Sequence, residues 1–194
     1  MMKQALTAIL TLAVSLFSLM FWGGCERCWA AEKQGKKILV AYFSRSGNTR
    51  EIANQIHKRV GGDIFEIVTV KPYPKVYREC TDLAKKELES NARPQLAKDV
   101  KNMASYDVVF IGYPNWWGTI PMALFTFLEK YDFAGKIIVP FCTHEGSALG
   151  RSVQDITKLA PKAEILEGLA VRGGSVKTAQ NEVAAWLGKI GMTK

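Results

Sequence analysis

Five short runs of apolar residues, separated by segments with helical periodicity, follow one another along most of this sequence. A continuous apolar run is typical of a parallel strand that is buried on both faces of a sheet. Such strands are predicted at residues 37–43, 63–70, 107–113, 136–142 and 164–170. Apolar residues at helical spacing predict helices at residues 48–60, 77–90, 121–131, 149–159 and 177–187. The alternation predicts one α/β domain over residues 36–191, with a five-stranded parallel sheet covered by helices on both faces.

The composition is that of an ordinary globular protein. The chain has 194 residues, of which 48% are hydrophobic and 23% are charged, and this excludes collagen-like, low-complexity and disordered chains. The formal net charge of +8 concerns solubility and partners rather than fold. Because the basic residues are spread through the chain, we expect a solvated face or attraction to an anionic membrane surface, and no nucleic-acid partner.

Residues 1–31 differ in kind from the rest. The segment has the layout of a secretory signal peptide. A positively charged N-terminal region is followed by an uncharged run at residues 5–22 and then by small residues, as at a cleavage site. The run is long for a signal core and close to the shortest membrane span. Two outcomes are therefore open, cleavage after Ala30 or Ala31 and retention as a membrane anchor. Both predict an exported protein, either periplasmic or membrane-anchored, and the second associates it with a membrane through this segment.

The four cysteines predict neither a disulfide nor a metal site. Cys25 and Cys28 have redox spacing but lie at the end of the apolar segment, outside any βαβ pattern, so we interpret the spacing as chance. Cys142 ends an apolar run and is expected to be a small buried residue, unpaired with Cys80. The two histidines are scattered and form no metal-ligand pattern with them.

The loop after the first strand has the chemistry of an anion site. Residues 44–49 (Ser-Arg-Ser-Gly-Asn-Thr) hold three hydroxyls and a glycine and open directly onto a helix. Helix-start amides attract an anion, so this loop predicts phosphate binding. The P-loop and dinucleotide fingerprints are both missing. Asn48 and Glu51 also have the spacing of a helix capping box.

The loops after the third and fourth strands belong to the same predicted edge of the sheet. Residues 114–119 contain two adjacent tryptophans, which cannot both be buried comfortably at a strand end and so predict a flat aromatic ligand. Residues 143–147 add hydroxyls, an imidazole and a carboxylate. Ligands of such sheets bind beyond the carboxyl ends of the strands. A phosphate site and an aromatic site at one edge predict a mononucleotide, and flavin mononucleotide (FMN) fits the tryptophan pair best.

These loops carry a resemblance to a known family. Residues 44–49 resemble the phosphate loop of flavodoxins, and residues 113–118 and 140–147 resemble the two ring-binding loops of a bacterial flavodoxin-like family. Arg93-Pro94 and Trp186-Leu187 match that family as well. The resemblance covers about residues 36–191. It implies a flavodoxin-like three-layer α/β/α sandwich with strand order 2-1-3-4-5 that binds FMN noncovalently.

The resemblance also implies which residues contact the cofactor. Those expected at the phosphate are Ser44, Ser46, Gly47, Asn48 and Thr49. Those expected beside the isoalloxazine ring are Pro114, Asn115, Trp116, Trp117 and Gly118. Those expected to close its other side are Thr143, His144, Glu145 and Gly146. Arg45 lies in the phosphate loop, where it either adds a positive charge beside the cofactor or is a solvated loop residue.

The implied function is electron transfer or oxidoreduction with a redox partner protein or a small-molecule acceptor. An NAD(P)H or quinone reductase of the same fold and a flavin-free binding module stay open as alternatives. A serine hydrolase using Ser147 and His144 is disfavoured, since the Gly-x-Ser-x-Gly elbow is missing. Typical flavodoxins are strongly acidic, whereas this chain is basic, so we expect a less negative potential for its fully reduced flavin couple.

Overall fold

The computed structural model describes residues 35–193. The predicted signal peptide or anchor at residues 1–31, with Cys25 and Cys28, lies outside the described residues. The strands are β1 (Ile38–Tyr42), β2 (Asp63–Glu66), β3 (Val108–Pro114), β4 (Ile137–His144), β5 (Glu164–Ile165) and β6 (Leu169–Arg172). The helices are α1 (Asn48–Val60), α2 (Tyr77–Glu89), α3 (Met122–Lys130), α4 (Ser152–Leu159) and α5 (Gln180–Lys189). Within residues 35–193, no helix is both long and apolar enough to cross a membrane.

The sheet has the predicted order. Its strands run β2-β1-β3-β4-β5, all neighbours are parallel, and β6 also pairs with β4. Val40 of β1 lies opposite Ile64 on one side and Phe110 on the other, so β1 is flanked by β2 and β3. The chain order therefore reverses between β1 and β3. The predicted strand order 2-1-3-4-5 is confirmed.

Two strands are shorter than predicted. The second strand ends at Glu66 rather than at residue 70, because the chain then leaves the sheet and pairs with residues 95–97, with Val70 N donating to Gln95 O at 2.8 Å. The fifth strand is divided into β5 and β6, which pair with successive parts of β4. Between them, Glu167 O accepts a hydrogen bond from Trp186 Nε1 at 2.9 Å. That carbonyl is satisfied by a helix side chain instead of a strand.

Alternate residues of the central strands supply two separate cores. In β1, Leu39 and Ala41 pack with α3 and α4, while Val40 and Tyr42 pack with α1 and α5. Because successive strand residues point to opposite faces, one continuous apolar run fills both layers. The three-layer α/β/α sandwich follows from this alternation.

Cys80 and Cys142 are unpaired, and Cys142 is buried, as predicted; Cys80 is buried as well. Cys142 Sγ donates to Ala148 O at 3.3 Å. Burial raises the pKa of the Cys142 thiol to about 12, so the group is neutral near pH 7. Burial is also the main cause of the raised pKa of the Cys80 thiol.

The packing of β3 against β4 requires a glycine at position 112. A Cβ atom added there would lie 2.1 Å from the ring of Phe141, which is fully buried. We expect Gly112→Ala to lower the free energy of unfolding by about 1–3 kcal/mol, because overpacking displaces a core ring. Urea denaturation followed by circular dichroism measures the change.

The matched control is Gly188→Ala in α5, where a Cβ atom meets nothing within 4 Å. Removing a helical glycine in open space is expected to leave stability unchanged or to raise it by up to about 1 kcal/mol. Equal stability of Gly112→Ala and the wild type would contradict the proposed packing of Phe141.

Candidate functional site

A cleft of about 410 Å³ lies where the loops that follow β1, β3 and β4 meet. Ten of the predicted site residues line it: Arg45, Ser46, Asn48, Pro114, Asn115, Trp116, Thr143, His144, Glu145 and Gly146. Tyr77 and Ser147 line it as well, although neither was among the predicted contacts. Ser147 belongs to the predicted rim loop. Tyr77 begins α2, well beyond the end of β2 at Glu66, so the search for residues directly after strand ends did not predict it.

The other five predicted residues are not among the described residues that line this cleft: Ser44, Gly47, Thr49, Trp117 and Gly118. They belong to the same loops, and the contacts of several of them hold these loops together. Thr49 is 1% exposed, and its hydroxyl bonds that of Thr143 at 2.9 Å. This bond joins the start of α1 to the end of β4, so two of the three loops are tied beneath the cleft.

The first loop is held by Ser44. Its Oγ accepts hydrogen bonds from Gly47 N at 3.2 Å and Arg50 N at 3.3 Å. The predicted capping box is wrong, because Asn48 makes no side-chain cap and the Glu51 carboxylate instead accepts from Gln55 Nε2 at 2.9 Å. The cap residue of α1 is Gly47, whose φ of 96° only glycine adopts readily. The side chain of Ser44, four residues before Asn48, therefore caps the N-terminus of α1.

Arg45 is anchored and not simply solvated. Its Nη2 donates to Lys75 O at 2.5 Å and its Nε to Pro74 O at 3.4 Å. Its guanidinium carbon lies 5.8 Å from the centre of the Tyr77 ring, within the range of a cation–π contact. The side chain thus ties the first loop to the segment that leads into α2, and it places a permanent positive charge at the cleft.

The loop after β3 closes as a tight turn. Trp116 N donates to Thr119 O at 2.9 Å, and Thr119 N donates back to Trp116 O at 3.1 Å. The two central residues, Trp117 and Gly118, have φ values of 54° and 80°, which is the left-handed pattern of a type I′ turn. The turn directs the adjacent indoles to different surroundings. Trp116 lines the cleft, whereas Trp117 Nε1 donates to Thr81 O on α2 at 3.0 Å.

Trp116 is packed edge-on against two other rings. Its ring centre lies 5.5 Å from that of Phe43 and 5.0 Å from that of Tyr73, both at steep angles. The Tyr73 hydroxyl in turn donates to Glu87 Oε2 at 2.7 Å. Burial, then the bond to Glu87, raises the pKa of Tyr73, so the hydroxyl remains a donor. Trp116 is consequently a rigid aromatic wall of the cleft.

The loop after β4 is braced by backbone contacts. Gly146 N donates to His144 Nδ1 at 2.9 Å, so in the neutral imidazole the proton is on Nε2. Arg151 N donates to Gly118 O at 2.8 Å, and a Cβ at Gly150 would lie 2.3 Å from that same oxygen. The second and third loops therefore touch through glycine backbone, which leaves no room for a side chain between them.

One buried polar atom of the cleft has no partner. Asn115 Nδ2 donates to Ala148 O at 2.7 Å, whereas its Oδ1 is buried and accepts no hydrogen bond from any described residue. A buried acceptor without a donor costs about 1–3 kcal/mol, so such an atom fits a bound group that offers an N–H or O–H.

No group of three or more His, Cys, Asp or Glu side chains able to hold a metal ion occurs within residues 35–193.

Three loops that meet at the carboxyl edge of a 2-1-3-4-5 parallel sheet define a flavodoxin-like α/β protein. The chain belongs to the flavodoxin family, whose model matches residues 37–190. No curated protein sequence matches it.

Solved structures agree with this fold. A Bacteroides eggerthii protein described as a flavoprotein is 35% identical over 80% of this chain and 98% of its own, with a TM-score of 0.71. One from Bacteroides uniformis is 31% identical over 78% of this chain and 99% of its own, with a TM-score of 0.69. A Lactobacillus acidophilus flavoprotein solved in complex with FMN is 23% identical over 74% of this chain and 97% of its own, with a TM-score of 0.60.

The turn after β3 gives a direct test of local geometry. Gly118 has a φ of 80°, and a Cβ atom there would meet nothing within 4 Å. We expect Gly118→Ala to lower the free energy of unfolding by about 1–2 kcal/mol through backbone strain alone, measured by urea denaturation.

The control for this turn is Gly118→Asn. Asparagine tolerates left-handed backbone better than alanine, so this variant is expected to be the more stable of the two. The turn geometry would be refuted if alanine were tolerated as well as glycine.

Proposed function

We propose that this chain is an FMN-dependent electron carrier or oxidoreductase that works with a redox partner protein or a small-molecule acceptor. It is a flavin-binding flavodoxin-like protein, and its cofactor is FMN. The carrying observation is that three loops distant in the sequence form one cleft with an open helix start, a rigid indole and an unsatisfied amide oxygen. When bound, FMN supplies the capacity to accept and release one or two electrons.

The first loop and the start of α1 are suited to the phosphate. The helix start offers backbone amides and a positive dipole end. Ser46 is exposed at the cleft, and Asn48 stands beside it. Ser44 already accepts hydrogen bonds from one loop amide and one amide of the first turn of α1, so its role is to shape the loop that presents these donors.

The second and third loops are suited to a planar ring. Trp116 is held by two neighbouring rings and presents a fixed aromatic surface. Asn115 Oδ1 is a buried acceptor, as the N–H groups of an isoalloxazine require. Tyr113, the residue before this loop, is buried in the core, where its hydroxyl bonds Ser152 Oγ at 2.7 Å and burial raises its pKa, so the residue is neutral.

The relatives support the same assignment. The two Bacteroides proteins are described as flavoproteins, and the Lactobacillus acidophilus protein was solved with FMN. The present chain spans nearly the full length of each of these three relatives, so no large part of their fold is missing from it.

FMN binding is tested by titrating the apoprotein with FMN and following flavin fluorescence. Ser46→Ala is expected to weaken binding by about 10- to 100-fold, since a hydrogen bond to a charged group contributes about 1.5–3 kcal/mol. The control is Ser175→Ala, an exposed serine outside the cleft, which should bind FMN like the wild type. A colourless protein that leaves FMN fluorescence unquenched would instead favour a flavin-free binding module.

The charge of Arg45 predicts an effect on potential. A cation at the cleft stabilises the anionic reduced flavin, so Arg45→Gln should make the potential of the fully reduced couple more negative by roughly 30–60 mV. Spectroelectrochemical titration at pH 7 measures the shift. Lys58→Gln makes the same change in net charge on α1 outside the cleft and should leave the potential close to that of the wild type. Equal shifts in both variants would mean that only overall charge matters.

A further inference from the structure

A second cleft, of about 420 Å³, adjoins the flavin site. It is lined by Tyr77, Thr81, Ala84, Asn115, Trp116 and Trp117, and we call it the aromatic slot. Tyr77, Asn115 and Trp116 line both cavities, so a molecule in the slot would contact the same residues as a flavin in the first cleft. The slot is therefore placed for a second reactant.

The walls of the slot are preformed. Tyr77, Thr81 and Ala84 are spaced four and three residues apart on α2 and so share one helix face. On the other side, Trp117 is fixed by its bond to Thr81 O and by its left-handed backbone, a conformation that a bulky residue adopts at a cost. Tyr77 is 71% exposed and Trp117 is 50% exposed, so two large aromatic faces are open to a ligand.

Two cations lie beside the slot, and one of them, Lys85, also forms an ion pair with Glu89 on α2 at 3.8 Å. Lys85 Nζ lies 5.4 Å from the centre of the Trp117 ring, and the Arg45 guanidinium lies 5.8 Å from the Tyr77 ring. Among the described residues that line the slot, none carries a carboxylate. Electron-rich tyrosine and tryptophan faces attract an electron-poor ring, and the two cations stabilise negative charge that develops on it.

We propose that the aromatic slot binds a quinone of one or two fused rings as the electron acceptor of this protein, an inference that rests on the proposed FMN function. The quinone gains two electrons and two protons and becomes the hydroquinone. Bound FMN in its anionic reduced form would give up both electrons and one proton and return to its oxidised form, and solvent would supply the second proton. The six lining residues would contact a compact ring system on two sides, whereas a nicotinamide dinucleotide would extend well beyond them.

The test uses the FMN-loaded protein and 1,4-naphthoquinone-2-sulfonate, with binding measured by isothermal titration calorimetry. Ala84→Leu places a larger side chain in the slot without touching the first cleft. It is expected to weaken quinone binding by about tenfold or more while FMN binding stays at the wild-type value. Thr81→Leu is the second filling variant, used if Ala84→Leu does not fold, because Ala84 is only 6% exposed.

The charge contribution is tested on the same helix. Lys85→Gln should weaken binding of the sulfonate by about three- to tenfold, and it should affect neutral 2-methyl-1,4-naphthoquinone less. Lys86→Gln is the matched control, since Lys86 is the neighbouring exposed lysine and does not line the slot.

Electron transfer is tested by stopped flow, which follows oxidation of the dithionite-reduced protein by the quinone. The rate of this oxidation should be lower in Ala84→Leu than in the wild type.

Three results would overturn the inference. The first is no quinone binding by protein that is fully loaded with FMN. The second is unchanged quinone affinity in the folded filling variants. The third is competition for the slot by NADPH with higher affinity than the quinone, which would assign the slot to a nicotinamide donor. Failure of the apoprotein to bind FMN at all would instead refute the proposed function, and the fluorescence titration detects that separately.

Discussion

Burial of the central strands on both faces is the constraint on which the rest of this structure depends. Strands β1, β3 and β4 are buried over most of their length, so their backbone groups are satisfied by neighbouring strands and their side chains by two helical layers. Polar side chains can then collect only where the strands end. The parallel order brings three of those ends to one edge, and the cleft lies there.

The edge is preorganised by contacts between its loops. The buried pair Thr49 and Thr143 joins the first loop to the third. The Asn115 amide and the backbone contact of Gly118 with Gly150 join the second loop to the third. These bonds link the loops directly to one another, so they limit the freedom that the loops can lose when a ligand binds and lower the entropy cost of binding. Five predicted contact residues that do not line the cleft thus contribute by holding the loops in place.

The sequence could predict the sheet and the loops because both depend on local patterns. Apolar runs located most strands to within a few residues. The exceptions arise from distant partners: backbone pairing with residues 95–97 ends β2 early, and Trp186 bonds the Glu167 carbonyl between β5 and β6. The Ser44 cap was missed because Asn48 and Glu51 had the more familiar spacing. Tyr77 was missed since it reaches the cleft through the packing of α2, and no local pattern reports such packing.

The adjacent tryptophans show how one backbone feature divides a motif between two tasks. Two indoles next to each other at a strand end cannot both be buried comfortably, and the sequence alone predicted that both flank one ligand. The left-handed turn at Trp117 and Gly118 directs the two indoles to different surroundings. Trp116 stays among Phe43 and Tyr73 beside the flavin cleft, while Trp117 bonds to α2 and forms a wall of the aromatic slot. The positive φ values of Trp117 and Gly118 thus place the two indoles so that Trp116 lines both adjoining cavities and Trp117 lines only the second.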